Sequence, residues 1–237
     1  MLLKAVQECT LEAVTLIAQG KLSRASDLLV CLIRSLQERE LELQLNPPLR
    51  PTHQTLQVQD LVFLPVSKEC RVSAPEWDEE IFGPPFAFFS PLGVDLTDQV
   101  VTESIATALS GVCLFMLGLC YHRHAQDNQQ HKQTCSGKTL RTACTFYQHA
   151  WHSLQKAFRL EEGALQSTSF LLMAIATNMI HSTASVGEIE AANAWIATLK
   201  ESTQRLWLKE DNLTLQLHNY FLIASTVNTG FVAAGAA

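Results

Sequence analysis

The sequence predicts an all-α protein made of antiparallel helical hairpins, with a small β-hairpin or extended insertion after the first hairpin. A Gly-x-Leu-x-x-Ala pattern at positions 20–25 recurs as Gly-x-Ile-x-x-Ala at positions 187–192, as expected for a turn followed by a helix. All 8 prolines lie between residues 47 and 91, so helices can run uninterrupted on both sides of that segment. We therefore expect a single helical domain over residues 1–237.

The first predicted hairpin pairs a helix over residues 3–19 with a helix over residues 22–41. Gly20 lies between them and supplies the break, since glycine can take the left-handed conformation that ends a helix without a Cβ clash. The second helix has one apolar face with three- and four-residue spacing. This face consists of Leu22, Ala25, Leu28, Leu29, Leu32, Ile33 and Leu36.

Residues 44–97 form an insertion of a different kind, because helices cannot run through its density of prolines. Residues 55–64 alternate polar and apolar side chains, and residues 82–89 are rich in aromatic side chains. Such segments favour β-structure, so we expect them to form a short hairpin or an extended pair. Residues 67–80, which link them, are expected to form an exposed loop.

Two further hairpins are predicted after the insertion. The second combines a helix that starts at Thr97 or Asp98, either of which can cap its first turn, and ends near His124 with a helix over residues 140–160. Residues 126–137 are polar and lack apolar periodicity, so we expect a flexible insertion between these two helices. The third hairpin and a closing helix are predicted at residues 165–183, 188–206 and 212–232.

The composition indicates a thick core and argues against one class of partner. Charged residues make up 17% of the chain, against about 25% in an average soluble protein, and apolar residues make up 47%. The net charge is -6, and no run of Lys and Arg exists that could neutralise a row of phosphates. We therefore expect no nucleic acid among the partners.

We expect an intracellular protein of the cytoplasm or nucleus. The first residues lack the charged and apolar segments of a secretory signal, and the 7 cysteines are odd in number and irregularly spaced, as is typical of reduced thiols. Three stretches without charged residues, 104–121, 164–182 and 213–237, have a composition that membrane spans share. We interpret them as buried central helices and expect no membrane insertion, while membrane association stays open as an alternative.

Histidines and cysteines concentrate around the second hairpin and are the candidates for chemistry. A zinc site needs three or four N or S donors, usually at short spacings, and the sequence has no C-x-x-C or H-E-x-x-H motif. It also lacks the motifs of nucleophilic catalysis and phosphate binding. We interpret the histidines as solvated and expect no metal, no cofactor and no enzymatic activity; a metal-dependent module or enzyme is the alternative. The cluster comprises Cys120, His122, His124, His131, Cys135, His149 and His152.

The second hairpin carries a pattern that resembles the tetratricopeptide repeat family. Its first helix contains Leu-Gly-x-x-Tyr at positions 117–121, and its second contains Ala-x-x-x-Tyr-x-x-Ala at positions 143–150. The first and third hairpins match in part, so the resemblance implies three stacked hairpins in which small residues permit close helix contact and large ones pack against the next pair. The small positions are Ala13, Ala25, Gly118, Ala143 and Ala192, and the large ones are Leu29, Tyr147 and Ile196.

The chain also departs from the family pattern at identifiable positions. The first hairpin has Glu12 where leucine is usual, and the third has Ile180 in place of a small residue. None of the three carries the tryptophan that is usual early in the first helix. The C-terminal sequence Phe-Val-Ala-Ala-Gly-Ala-Ala and the insertion after the first hairpin look similar to members of this family from diatoms.

The resemblance implies a groove that binds a partner. Some family members hold the carboxylate end of a peptide there with Lys and Asn, but the matching positions in this chain are mostly apolar or neutral. The resemblance therefore implies protein or peptide partners with an apolar segment, and no carboxylate clamp. The function that follows is a non-enzymatic scaffold for protein–protein interaction. The groove positions are Thr10, Val14, Phe115, Leu119, Thr177 and His181.

Overall fold

Six α-helices make up nearly all of the part of the chain that this computed structural model describes. The described residues are 2–46, Phe88, Val94, 102–130, 136–160, 165–205 and Phe221. The helices are α1 (Leu2–Ala18), α2 (Leu22–Leu45), α3 (Glu103–Gln130), α4 (Ser136–Leu160), α5 (Leu165–Ser185) and α6 (Ile189–Arg205). No strand occurs among the described residues, so the predicted all-α class is confirmed for them.

The turns that follow α1 and α5 are built in the same way around a glycine. Gly20 and Gly187 have φ angles of 70° and 81°, in the left-handed region. Each glycine N–H donates to a carbonyl three residues earlier, at 3.1 and 3.0 Å, and the following N–H donates to a carbonyl five residues earlier, at 2.9 and 2.8 Å. This is the Schellman arrangement, which satisfies carbonyls at a helix end. The predicted break at Gly20 is confirmed. The Gly-x-Leu/Ile-x-x-Ala pattern recurs because both turns require a glycine with a positive φ angle.

Alanine at either turn glycine is expected to lower the free energy of unfolding by about 1–2 kcal/mol, because the left-handed conformation crowds a Cβ against its own backbone. A Cβ at Gly20 or Gly187 meets nothing within 4 Å, so packing adds nothing to this loss. Gly137→Ala is the control, since Gly137 lies inside α4 and also has open space around it. Urea denaturation measures all three variants, and equal stabilities would contradict the prediction.

α3 is the central helix of the described structure. Each helix packs against its neighbours in sequence, and α3 contacts α5 in addition to α2 and α4. Among the described residues, it is also the one helix with the length and composition to cross a membrane, between Glu103 and Asp127. The 18-residue window that meets this test is 94% buried inside the structure, as in a helix that is apolar all round and surrounded by other helices.

Two glycines of α3 allow α4 to approach closely. A Cβ added at Gly111 would stand 2.7 Å from Cγ of Leu154, and one at Gly118 would stand 2.6 Å from Cε1 of Tyr147. The two glycines are seven residues apart, and so are the two side chains opposite them, so these antiparallel helices repeat the same contact two turns further along. The predicted close contact at Gly118 is confirmed, and Gly111 makes a second close contact that was not predicted.

The boundaries predicted for the polar insertion over residues 126–137 are wrong. α3 continues to Gln130 and α4 begins at Ser136, which leaves only residues 131–135 between them, outside the described residues. Absence of apolar periodicity does not by itself end a helix. Glutamine has a good helix propensity, and no Gly or Pro occurs in the part of α3 that extends past the predicted end at His124.

Other predicted boundaries are met more closely or fall outside the described residues. α2 extends to Leu45, so the first two residues of the proposed 44–97 insertion are helical. The predicted strand pair lies outside the described residues except for Phe88, which belongs to neither a helix nor a strand. The predicted closing helix over 212–232 also lies outside them, except for Phe221.

Candidate functional site

All six predicted groove residues are buried, and none is more than 5% exposed. They therefore contact other parts of this chain instead of solvent, and their role toward a partner stays a prediction. The set is Thr10, Val14, Phe115, Leu119, Thr177 and His181. The ring of Phe115 lies against Tyr147 of α4 and against Phe88, which comes from outside α1 to α6.

Phe88, from the proline-rich insertion, lies against α3 and α5. Its ring centroid lies 6.2 Å from that of Phe115 on α3 and 5.5 Å from that of Phe170 on α5, the second contact being edge-to-face. The ring of Phe221 lies 6.2 Å from Phe88 and 5.5 Å from Phe170. Phe88 is 6% exposed, so its side chain is enclosed in an aromatic pocket.

Asn178 on α5 holds the main chain of Phe88. Its Oδ1 accepts a hydrogen bond from the Phe88 N–H at 2.6 Å, and its Nδ2 donates to the Phe88 carbonyl at 2.9 Å. In an antiparallel sheet, a residue whose N–H and C=O both bond to one residue opposite forms the same kind of pair. The Asn178 amide therefore binds Phe88 as a neighbouring strand would, through atoms that do not depend on the Phe88 side chain.

Asn178 is not among the predicted groove positions, although it directly follows one of them, Thr177. The sequence does contain one indication of its role. An asparagine amide within an uncharged and buried helix must find hydrogen-bond partners. Its partner could not be identified from pattern, because Phe88 is 90 residues away along the chain.

A chain of buried polar groups continues from Asn178 across the helices. Asn178 Nδ2 also donates to the hydroxyl of Tyr147 at 3.1 Å, and that hydroxyl lies 3.2 Å from Nδ1 of His122. Nε2 of His122 lies 2.8 Å from Nδ1 of His181. These contacts are compatible with neutral tautomers, for example with Tyr147 donating to Nδ1 of His122 and Nε2 of His122 donating to Nδ1 of His181. Both imidazoles are neutral in this arrangement.

Burial keeps His122, His181 and Tyr147 uncharged. Desolvation lowers the pKa of His122 well below its ordinary value, and the nearby His181 lowers it further. Desolvation lowers the pKa of His181 to about 4. Desolvation also raises the pKa of Tyr147 well above its ordinary value, so the hydroxyl keeps the proton that it donates.

The interpretation of the histidine cluster as solvated is wrong for His122. Its exposed fraction is 0%, because its ring lies between Tyr147 of α4 and His181 of α5. Within the part of the chain that the structure describes, no group of three or more His, Cys, Asp or Glu could hold a metal ion. His131 and Cys135 lie outside that part. The exposed members of the cluster are His124, His149 and His152.

Three buried cysteines have thiols that are hard to ionise. Desolvation raises the pKa of Cys113 to about 12, and it raises the pKa of Cys120 and of Cys144 to about 11. Because the thiolate is the reactive form, these three are poor nucleophiles in the folded protein. Cys31, in contrast, is exposed on α2.

Alkylation of the folded protein with iodoacetamide is expected to modify Cys31 before the three buried cysteines, which should react only after unfolding. The cause is both burial and the scarcity of thiolate. Peptide mass spectrometry after timed quenching, with and without urea, measures each site. Modification of Cys144 at the rate of Cys31 without urea would contradict the described burial.

No family model matches this chain, and neither a curated protein nor a solved structure matches it. Its function is therefore inferred from the contacts of α3, α4 and α5. These helices bring together a side-chain amide that binds a main chain, an aromatic pocket and a pair of buried imidazoles.

Proposed function

We propose that this chain is a non-enzymatic interaction module, a tetratricopeptide-like stack of helical hairpins that binds a segment of another protein on the face of α3 and α5. The observation that carries this proposal is the pair of hydrogen bonds between Asn178 and the main chain of Phe88. They hold an element from outside the helices through backbone atoms that every peptide has. A face with this chemistry is suited to binding other peptide segments.

The positions expected to be small or large in such a stack support the proposal. All of them are buried, and Gly118 lies against the ring of Tyr147 where α3 meets α4. Successive helices contact one another from α1 to α6. A hairpin stack requires such contacts, since each hairpin buries its apolar face against the next.

The buried polar groups support a structural role for the histidines. His122 and Tyr147 have exposed fractions of 0%, and each has its hydrogen-bond partners on the neighbouring helices. The burial of Cys120 and Cys144, with their raised pKa values, also removes these thiols from consideration as ready nucleophiles. These features fit a helical stack that uses its polar network to orient Asn178.

The test compares the proteins that three forms of the chain bind in the cells that naturally express it. Wild type, Asn178→Ala and Asn193→Ala are recovered after cross-linking, and bound proteins are quantified by mass spectrometry. Asn193 is the matched control, because it is exposed on α6. We expect at least one protein to be recovered with wild type and Asn193→Ala but lost with Asn178→Ala.

Thermal unfolding first establishes that Asn178→Ala is folded at the temperature of the experiment. If all three forms recover the same proteins in the same amounts, the face of α3 and α5 does not bind them. That result would overturn the proposed function.

A further inference from the structure

Building on the proposed function, we infer that Phe88 is an intramolecular ligand of this face, and that a non-helical segment of a partner protein binds in its place with a phenylalanine. The occupant that the structure shows contributes one N–H, one carbonyl and one phenyl ring. The groups that receive these atoms on the helices are Phe115, Phe170 and Asn178. Another segment that presents the same three features reproduces these contacts.

The ring of the occupant determines selectivity, because the two backbone hydrogen bonds do not distinguish side chains. Phe88 is 6% exposed and has aromatic rings on α3 and α5 as neighbours. A smaller side chain would leave a cavity in this pocket, and a charged one would lose its hydration without a partner. Phenylalanine fills the pocket and packs edge-to-face with the ring of Phe170.

Asn178 is oriented by groups that do not belong to the occupant. Its Nδ2 donates a second hydrogen bond to the Tyr147 hydroxyl, which in turn contacts His122. The Tyr147 ring is itself fixed against Gly118 at the crossing of α3 and α4. The amide is therefore already aimed before a peptide arrives, which reduces the ordering that binding requires.

Phe88 and a partner's phenylalanine exclude each other, since Asn178 Oδ1 and the aromatic pocket hold one residue at a time. A tethered ligand acts at an effective concentration on the order of millimolar. We therefore expect wild type to bind a free peptide about ten-fold more weakly than the Phe88→Ala chain does. This competition makes the occupancy of the face measurable.

The experiment uses a fluorescein-labelled peptide with the sequence of residues 84–95 and measures fluorescence anisotropy. The peptide contains three phenylalanines, so the same peptide with Phe88→Ala is a control that keeps the other two. The full chains are wild type and Phe88→Ala, and Phe88→Ala combined with either Asn178→Ala or the exposed control Asn193→Ala.

We expect the unmodified peptide to bind the Phe88→Ala chain, and to bind wild type about ten-fold more weakly. Asn178→Ala should remove this binding and Asn193→Ala should preserve it. The Phe88→Ala peptide should not bind any chain. Equal binding of the two peptides, or equal binding to wild type and to a folded Phe88→Ala chain, would overturn the inference. So would peptide binding that Asn178→Ala leaves unchanged.

A second measurement on wild type does not depend on the folding of any variant. The peptide keeps Phe88 and carries p-benzoylphenylalanine at the neighbouring position 89, and cross-linked residues are mapped by mass spectrometry. Cross-links to α3 or α5 near Phe115, Phe170 or Asn178 support the inference, whereas cross-links elsewhere or none overturn it. Wild-type dimers that the peptide dissociates would identify a second copy as the occupant and would overturn the assignment to a different partner.

The two proposals fail in different ways. If cellular partners depend on Asn178 but are not displaced by the peptide, the inferred partner chemistry is wrong and the proposed function stands. If no cellular partner depends on Asn178, the proposed function itself fails.

Discussion

Gly118→Leu is expected to lower the free energy of unfolding by about 3 kcal/mol, at the upper end of typical overpacking losses. A Cβ at this position would stand 2.6 Å from Cε1 and 2.7 Å from Cδ1 of Tyr147, and the rest of a leucine needs still more room. The Tyr147 ring cannot move away without breaking the contacts of its hydroxyl with Asn178 and His122. Leucine's better helix propensity returns less than about 1 kcal/mol, so overpacking dominates.

Chemical denaturation measures the change, and Gly137→Leu is the matched control within a helix. A Cβ at Gly137 meets nothing within 4 Å, so this variant should remain within about 0.5 kcal/mol of wild type. An unchanged melting temperature for Gly118→Leu would mean that α3 and α4 are not as close as described. It would also remove the main structural support for the second hairpin of the proposed stack.

The second glycine contact separates overpacking from other effects. Gly111→Ala places its Cβ against Leu154 Cγ at 2.7 Å, so Leu154→Ala should create the room that Gly111→Ala needs. In a double-mutant cycle, the loss from Gly111→Ala should therefore be smaller in the Leu154→Ala background. Additive losses would assign the effect to something other than this contact.

Local sequence signals were sufficient for the helices and their turns. Gly20 and Gly187 each end a helix for a backbone reason that a short pattern can carry, since few other residues take a positive φ at low cost. The apolar spacing of residues 22–36 likewise predicts which face of α2 is buried, because helix geometry alone places those residues together. Such features depend on residues a few positions apart.

Sequence patterns did not distinguish a polar stretch of helix from a polar loop. Residues 126–130 are all polar and show no apolar period, yet they continue α3. The prediction for His122 was wrong for a related reason. The burial of His122 depends on Tyr147 and His181, which are 25 and 59 residues away along the chain, so no local pattern could indicate it.

The candidate site could be predicted only in part. The resemblance placed Phe115 and Thr177 on a common face, and Phe115 does contact Phe88. The residue that binds the main chain, however, is Asn178, one position further along α5. Which of two adjacent residues meets Phe88 depends on the rotation of α5 against α3 and α4, and that rotation is a property of the packed structure.

Lowering the pH from 7 to 5 is expected to reduce the free energy of unfolding by about 2 kcal/mol through His181 alone. Desolvation lowers the pKa of His181 in the folded protein to about 4, from an ordinary value of 6.5. Between these two pKa values, His181 is protonated in the unfolded chain and neutral in the folded protein. The stability is fully present above pH 6.5 and is lost as the pH falls toward 4, at up to about 1.4 kcal/mol per pH unit. The lowered pKa of His122 acts in the same direction.

Urea denaturation of wild type, His181→Gln and His149→Gln at pH 7, 6 and 5 isolates this contribution. Glutamine at position 181 is still able to accept a hydrogen bond from His122, but it cannot bind the proton. The free energy of unfolding of His181→Gln should therefore fall by about 2 kcal/mol less than that of wild type between pH 7 and 5. His149, which is exposed on α4, is the control for replacing a histidine side chain at the surface. Carboxylates that titrate near pH 5 affect all three proteins alike and cancel in the comparison. If wild type and His181→Gln lose the same free energy of unfolding between pH 7 and 5, His181 is not buried in its neutral form. The described hydrogen bonds from His181 through His122 and Tyr147 to Asn178 would then be incorrect.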